Sequence, residues 1–119
     1  MEFRAVAELA CAKCGALLTT KSEWGSRSDY TDAPEMAEPS VPKGVLVKLE
    51  DGSNTIIANP LDIIEGRLKS TGSDNGCCGS DGLDGPNRAC VCGSVVATER
   101  SDCWTPAEVA FIASSVAEI

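Results

Sequence analysis

The 119-residue chain holds seven cysteines and no histidine. Four of the cysteines fall in two short pairs, Cys11-Ala-Lys-Cys14 and Cys90-Val-Cys92, and a glycine (Gly15, Gly93) follows each pair. Thiolates bind Zn2+ tetrahedrally at about 2.3 Å, and structural zinc sites are commonly assembled from two such pairs. The chemistry expected is a four-cysteine zinc site on Cys11, Cys14, Cys90 and Cys92, with Zn2+ as the cofactor. Sites that need histidine are excluded by composition. The second pair is one residue tighter than the usual Cys-x-x-Cys, so its turn must differ. The long interval between Cys14 and Cys90 is no obstacle, because the cost of loop closure grows only logarithmically with length. Two alternatives stay open: buried thiols that merely fill a core, and a ligand from Cys77 or Cys78 in place of Cys90.

Cys77, Cys78 and Cys103 remain. Adjacent cysteines project in different directions, so the plainest reading packs them against the first site. A second reading is a three-thiolate zinc completed by water or by Asp102, which would be a catalytic arrangement; no general base stands beside it. A third is a redox pair or thiol sensor, but neither a basic neighbour nor a helix N-terminus is evident near Cys77-Cys78 to lower a thiol pKa. Asp81, Asp84, Asn87 and Asp102 surround these cysteines and could do acid–base work, though Asp and Asn in Gly-rich loops usually satisfy turns. Gly82-Leu-Asp-Gly85-Pro-Asn lacks the Lys and the following helix of a phosphate loop. Trp104 reads as a core anchor or a lid over a metal.

The elements that must carry the cysteines follow from periodicity. Phe3, Ala5, Ala7, Leu9 and Cys11 alternate with Arg4, Glu8 and Ala10, a period of two that predicts a strand. The chain then turns through Cys11–Gly15 into the apolar run Ala16–Thr20. Strand, Cys-x-x-Cys-Gly, strand is the plan of a zinc knuckle at a hairpin tip, and a Gly15 with φ > 0 turns backbone N–H groups toward the sulfurs. The polar, proline-bearing segment 21–42 predicts an exposed loop, partly disordered, with Trp24 and Tyr30 as anchors to the body or to a partner. Gly44–Glu50 alternates as a strand, Asp51-Gly-Ser-Asn54 is turn chemistry, and Thr55–Ala58 returns. Asn59-Pro60 breaks the pattern, and Leu61–Ile64 is a short turn or strand ended by Gly66. Residues 70–89 are Gly-rich loop. Cys90-Val-Cys92-Gly93 leads into the strand Ser94–Glu99, repeating the logic of the first hairpin. Thr105-Pro-Ala-Glu108 matches a helical capping box, yet Glu108–Ile112 also suits a strand; a strand closing the sheet, then an irregular tail, is the expectation.

Size and charge bound the class. One domain over 1–119 with one modest core is expected, and with 4% aromatic residues that core gains from a metal staple. Met1-Glu2-Phe3-Arg4 opens on an acid and no h-region follows, which predicts a cytoplasmic chain with reduced thiols. No apolar run approaches the roughly 20 residues of a membrane span. The net charge is −8, and a zinc-loaded four-thiolate site brings it to about −10; this opposes nucleic-acid binding, which depends on cations that neutralise phosphates.

Phe3-Arg4 … Cys11-x-x-Cys14-Gly15-Ala-Leu-Leu-Thr19, with Gly76-Cys77-Cys78-Gly79 … Gly82-Leu-Asp-Gly85-Pro86-Asn87-Arg-Ala-Cys90-Val-Cys92-Gly93 … Val96-Ala97-Thr98 … Asp102-Cys103, resembles small cysteine-rich bacterial proteins of unknown function. Their start runs Arg-Phe-x-Cys-x-x-Cys-Gly-x-x-Leu-Thr. The likeness covers both ends of the chain; the middle does not match, and extra residues separate Arg4 from Cys11. It implies a cytoplasmic, bacterial protein and brings no activity with it. The two-hairpin plan is also similar to zinc ribbons and to zinc-bearing β-tent folds, in architecture only. The expected fold is therefore mainly β, zinc-ribbon-like or β-tent-like, with two cysteine-tipped hairpins and a central hairpin over 44–58. The expected role is a structural-zinc module that binds a protein partner through its acidic surface and the 21–42 loop. A zinc enzyme at Cys77, Cys78 and Cys103 is the rival, and a thiol redox sensor is the third option.

Overall fold

Alternating β-branched and apolar residues with turn signals between them produce strands. In the computed structural model, which describes residues 4–31, 38–73, 79–83, 85–102 and 105–119, the chain is mainly β as expected. Its strands are β1 (Val6–Ala7), β2 (Leu9–Cys11), β3 (Ser22–Trp24), β4 (Val45–Leu49) and β5 (Thr55–Ala58), then β6 (Leu68–Ser70), β7 (Arg88–Cys90), β8 (Val95–Arg100), β9 (Glu108–Ile112) and β10 (Val116–Glu118). Eight of them form one sheet in the order β1-β3-β4-β5-β9-β8-β7-β6, while β2 and β10 pair separately. Neighbours are antiparallel except β3 and β4, which run parallel. Among the described residues no helix is long and apolar enough to cross a membrane.

The sheet buries side chains on both faces. One face, with β2 packed over it, makes the main core: Leu9, Leu18, Leu46, Ile56, Val96, Val109 and Phe111, together with the thiols of Cys11 and Cys90. Phe111 is fully buried and lies in register between Ile56 of β5 and Ala97 of β8. The opposite face carries a smaller cluster of Val41, Val47 and Ile57, with Tyr30 and Ala110 packed against it.

That second cluster corrects part of the reading of 21–42 as an exposed loop: Lys21, Glu23, Arg27 and Ser28 are exposed, while Trp24 and Tyr30 anchor the segment to the body as expected. Ser22–Trp24 is a strand, Ser22, Ser40 and Val41 are buried, and Ser40 donates from Oγ to the buried Glu108 carboxylate at 2.7 Å. The polar composition misleads because Trp24, Tyr30 and Val41, few as they are, dock against the two clusters. Residues 32–37 lie outside the described part. The irregular tail is also corrected: Val116–Glu118 pairs antiparallel with Leu9–Cys11, and Glu118 accepts a hydrogen bond from the Trp24 indole at 2.8 Å. The capping-box signal at Thr105 does not start a helix; Glu108–Ile112 is the strand that joins the two halves of the sheet. Along Ala16–Thr20 the return strand reduces to isolated bridges, Ala10 with Leu17 and Thr19 with Ile63, and Ala10, placed with the outward residues, is buried like both its β2 neighbours.

Asn87 shows how the glycine-rich loop is pinned. It is fully buried; its amide donates to the Glu99 carbonyl at 3.0 Å, and its side-chain oxygen accepts from the Glu99 N–H at 2.7 Å. Next to it, Arg88 pairs with the Glu99 carboxylate at 2.6 Å. Asn87→Ala strands both Glu99 backbone groups away from water, and a loss of about 2–4 kcal/mol in unfolding free energy by denaturant titration is expected. An unchanged midpoint would show that the clamp is dispensable.

Candidate metal centre

Each cysteine pair sits on a tight loop whose ends are tied by backbone hydrogen bonds. In the first, the Cys11 N–H donates to the Ala16 carbonyl at 2.9 Å and the Gly15 N–H to the Cys11 carbonyl at 2.8 Å. In the second, the Cys90 N–H donates to the Ser94 carbonyl and the Gly93 N–H to the Cys90 carbonyl, both at 2.8 Å. The second loop repeats the first with one residue fewer, which is how Cys-x-Cys does the work of Cys-x-x-Cys. Both glycines adopt the left-handed conformation, Gly15 at φ +78° and Gly93 at φ +95°, where a side chain would add strain.

The two loops face each other. The Sγ atoms of Cys11, Cys14, Cys90 and Cys92 all lie within 4.8 Å of one another. Across the gap Cys14 and Cys90 are 3.5 Å apart and Cys11 and Cys92 3.7 Å. A tetrahedral thiolate site with bonds of about 2.3 Å has sulfur–sulfur edges of about 3.8 Å, so the cluster fits one ion. These separations are far beyond the roughly 2.05 Å of a disulfide, and all four cysteines are free thiols. The expectation of a four-cysteine cluster on these residues agrees with the geometry, and the alternative of Cys77 or Cys78 replacing Cys90 is not needed to complete it.

The groups behind the sulfurs also suit a metal. The Cys11 sulfur is held by backbone N–H groups of Cys14 and Lys13, and the Cys90 sulfur by the N–H of Cys92. Such donors stabilise thiolates and orient ligands. Burial acts to raise the Cys11 pKa, but the N–H donors of Cys14 and Lys13, helped by the thiols of Cys92 and Cys90, outweigh it and bring it down to about 7. Burial pushes the Cys90 thiol up to about 12; the Cys92 N–H opposes this, and the neighbouring thiols of Cys14, Cys11 and Cys92 add to it. Thiolates this close together repel one another, and a cation between them would offset that repulsion.

The centre joins two parts of the fold that also meet in the main core, where Leu9 and Leu18 pack with Val96 and Phe111. Cys11 and Cys14 stand at the tip of the hairpin begun by β2, which is flanked by β10; Cys90 and Cys92 stand at the turn from β7 to β8 in the large sheet. Cys11 and Cys90 are buried at the margin of the main core, whereas Cys14 and Cys92 are exposed. That asymmetry could not be read from spacing.

Phe3, Cys77, Cys78, Asp84, Cys103 and Trp104 lie outside the described residues. Asp81 accepts the Leu83 N–H at 2.9 Å, which closes a turn as expected; Asn87 instead clamps Glu99, twelve residues away. Asp102 is buried, its N–H donating to the Ser80 carbonyl. Comparison with known protein families, with characterised proteins and with solved structures finds no match to this chain.

Proposed function

We propose that this chain is a small structural-zinc protein in which one Zn2+, held by Cys11, Cys14, Cys90 and Cys92, clamps the N-terminal hairpin to the β7–β8 turn. The observation that carries this reading is the convergence of four free sulfurs within 4.8 Å from loops far apart in sequence. Zinc is favoured over other divalent ions because the donor set is entirely thiolate and compatible with tetrahedral packing, a combination shared only with iron–sulfur chemistry. Four protein ligands leave no open position, which supports a structural role and argues against catalysis at this ion.

In this reading the domain is a protein-interaction module of the cytoplasm, akin to the small cysteine-rich bacterial proteins it resembles. A net charge of −8 supports a partner with a basic surface and opposes nucleic acid. Elemental analysis of the protein purified without added metal tests the reading: one zinc per chain and no iron is expected. Two zinc ions per chain would favour the rival, a second site on Cys77, Cys78 and Cys103; no zinc would end the proposal.

A further inference from the structure

Exposure divides the four sulfurs in a pattern that neither hairpin shows alone. Each loop contributes one buried cysteine, Cys11 or Cys90, and one exposed cysteine, Cys14 or Cys92. The sulfur of each exposed residue meets that of the buried residue of the opposite loop: Cys14 and Cys90 at 3.5 Å, Cys92 and Cys11 at 3.7 Å. An oxidant from solvent reaches exposed thiolates first, and here each has a resolving thiol against it that solvent does not reach.

We propose that Cys14 and Cys92 are oxidation sites, each resolved by its buried partner across the gap, so that hydrogen peroxide exchanges the metal clamp for a disulfide clamp between the same two loops. The inference rests on the zinc reading above. In the first step the Cys14 thiolate attacks one peroxide oxygen; the O–O bond breaks, an S–O bond forms, and hydroxide leaves, giving a sulfenic acid. In the second, the Cys90 thiolate attacks the Cys14 sulfur; the S–S bond forms, the S–O bond breaks, and a second hydroxide leaves. Two protons convert the hydroxides to water, two electrons pass from the two sulfurs to one peroxide, and two of four ligands are withdrawn from the ion. Cys92 and Cys11 follow the same course with a second peroxide. The link made in either case joins the N-terminal hairpin to the β7–β8 turn, as the ion does. Metal loss by oxidation therefore leaves the domain closed, whereas metal loss by chelation opens it.

The test uses the zinc-loaded full chain and, in parallel, a variant with Cys77→Ser, Cys78→Ser and Cys103→Ser to confine oxidation to the four sulfurs. Zinc content is measured first, then hydrogen peroxide is added while a chromogenic chelator reports release. Peptides are mapped by mass spectrometry without reduction. Release of the zinc with recovery of Cys14–Cys90 or Cys11–Cys92 linked peptides is expected, together with a thermal transition retained in the oxidised, metal-free protein. Linkage of Cys11 to Cys14 or of Cys90 to Cys92, oxidation to sulfinic acid without a cross-link, or retention of zinc in excess peroxide would each overturn the proposal. Should the triple variant not fold, the same linked peptides from the unsubstituted chain decide the matter. A chain that carries no zinc before peroxide is added refutes the underlying zinc reading instead.

Discussion

Stripping the metal from the reduced protein is expected to abolish its cooperative thermal transition or to lower it by more than about 20 °C. The reason lies in what else joins the two halves of the centre. The first loop is held to the body by the β2–β10 pairing and by backbone bonds such as that from the Ile64 N–H to the Leu18 carbonyl; the β7–β8 turn belongs to the large sheet. Binding of structural zinc to thiolates supplies about 10–16 kcal/mol in small domains near pH 7, while a whole domain is stable by only about 5–15 kcal/mol. Without the ion, four sulfurs crowd within 4.8 Å of one another with no cation to hold them. Calorimetry or circular dichroism before and after exhaustive chelation under reducing conditions measures the effect, and restoration on adding Zn2+ separates it from damage. A melting temperature unmoved by complete metal removal would show that the cluster does not hold the fold.

Phe111→Ala is expected to cost about 3–5 kcal/mol, the range for removing a buried aromatic from a close-packed core. Phe111 is at 0% exposure, with Ile56 and Ala97 directly beside it in the neighbouring strands, and it belongs to the same cluster as Leu9, Cys11 and Cys90. Its ring is the largest side chain in a core otherwise built from aliphatic residues, so few neighbours can move in to close the cavity. The corresponding fall in melting temperature is about 12–20 °C for a domain of this size. Leu83→Ala is the matched control: Leu83 is 82% exposed, and its loss is expected to change stability by less than about 0.5 kcal/mol. Equal effects from the two substitutions would contradict the burial pattern.

The candidate site was legible because it rests on local chemistry. Two cysteine pairs, each closed by a glycine that adopts positive φ, encode two sulfur-presenting turns whatever the rest of the chain does. The strands β4, β5, β8 and β9 were legible for a similar reason: a short β-branched, apolar run bounded by turn residues is a property of the segment itself, though for β9 a capping-box signal competed. Segment 21–42 was misread because composition reports average polarity, whereas docking here depends on Tyr30, Ser40 and Val41. Leu68–Ser70, whose pattern is too short to register, becomes a strand only because Cys90, Ala89 and Arg88 offer it an edge.

By itself, then, the sequence determined the mainly β class and the turns that carry each cysteine pair, since each depends on residues within a few positions of one another; that the two pairs meet is tertiary. Only the tertiary structure decided that the C-terminal strand shields β2, that β3 runs parallel to β4, and that each exposed sulfur faces a buried one of the opposite hairpin. Those are relations between segments that local preference leaves undetermined, and they are set by which faces must be covered and which backbone edges must be paired once the whole chain is packed.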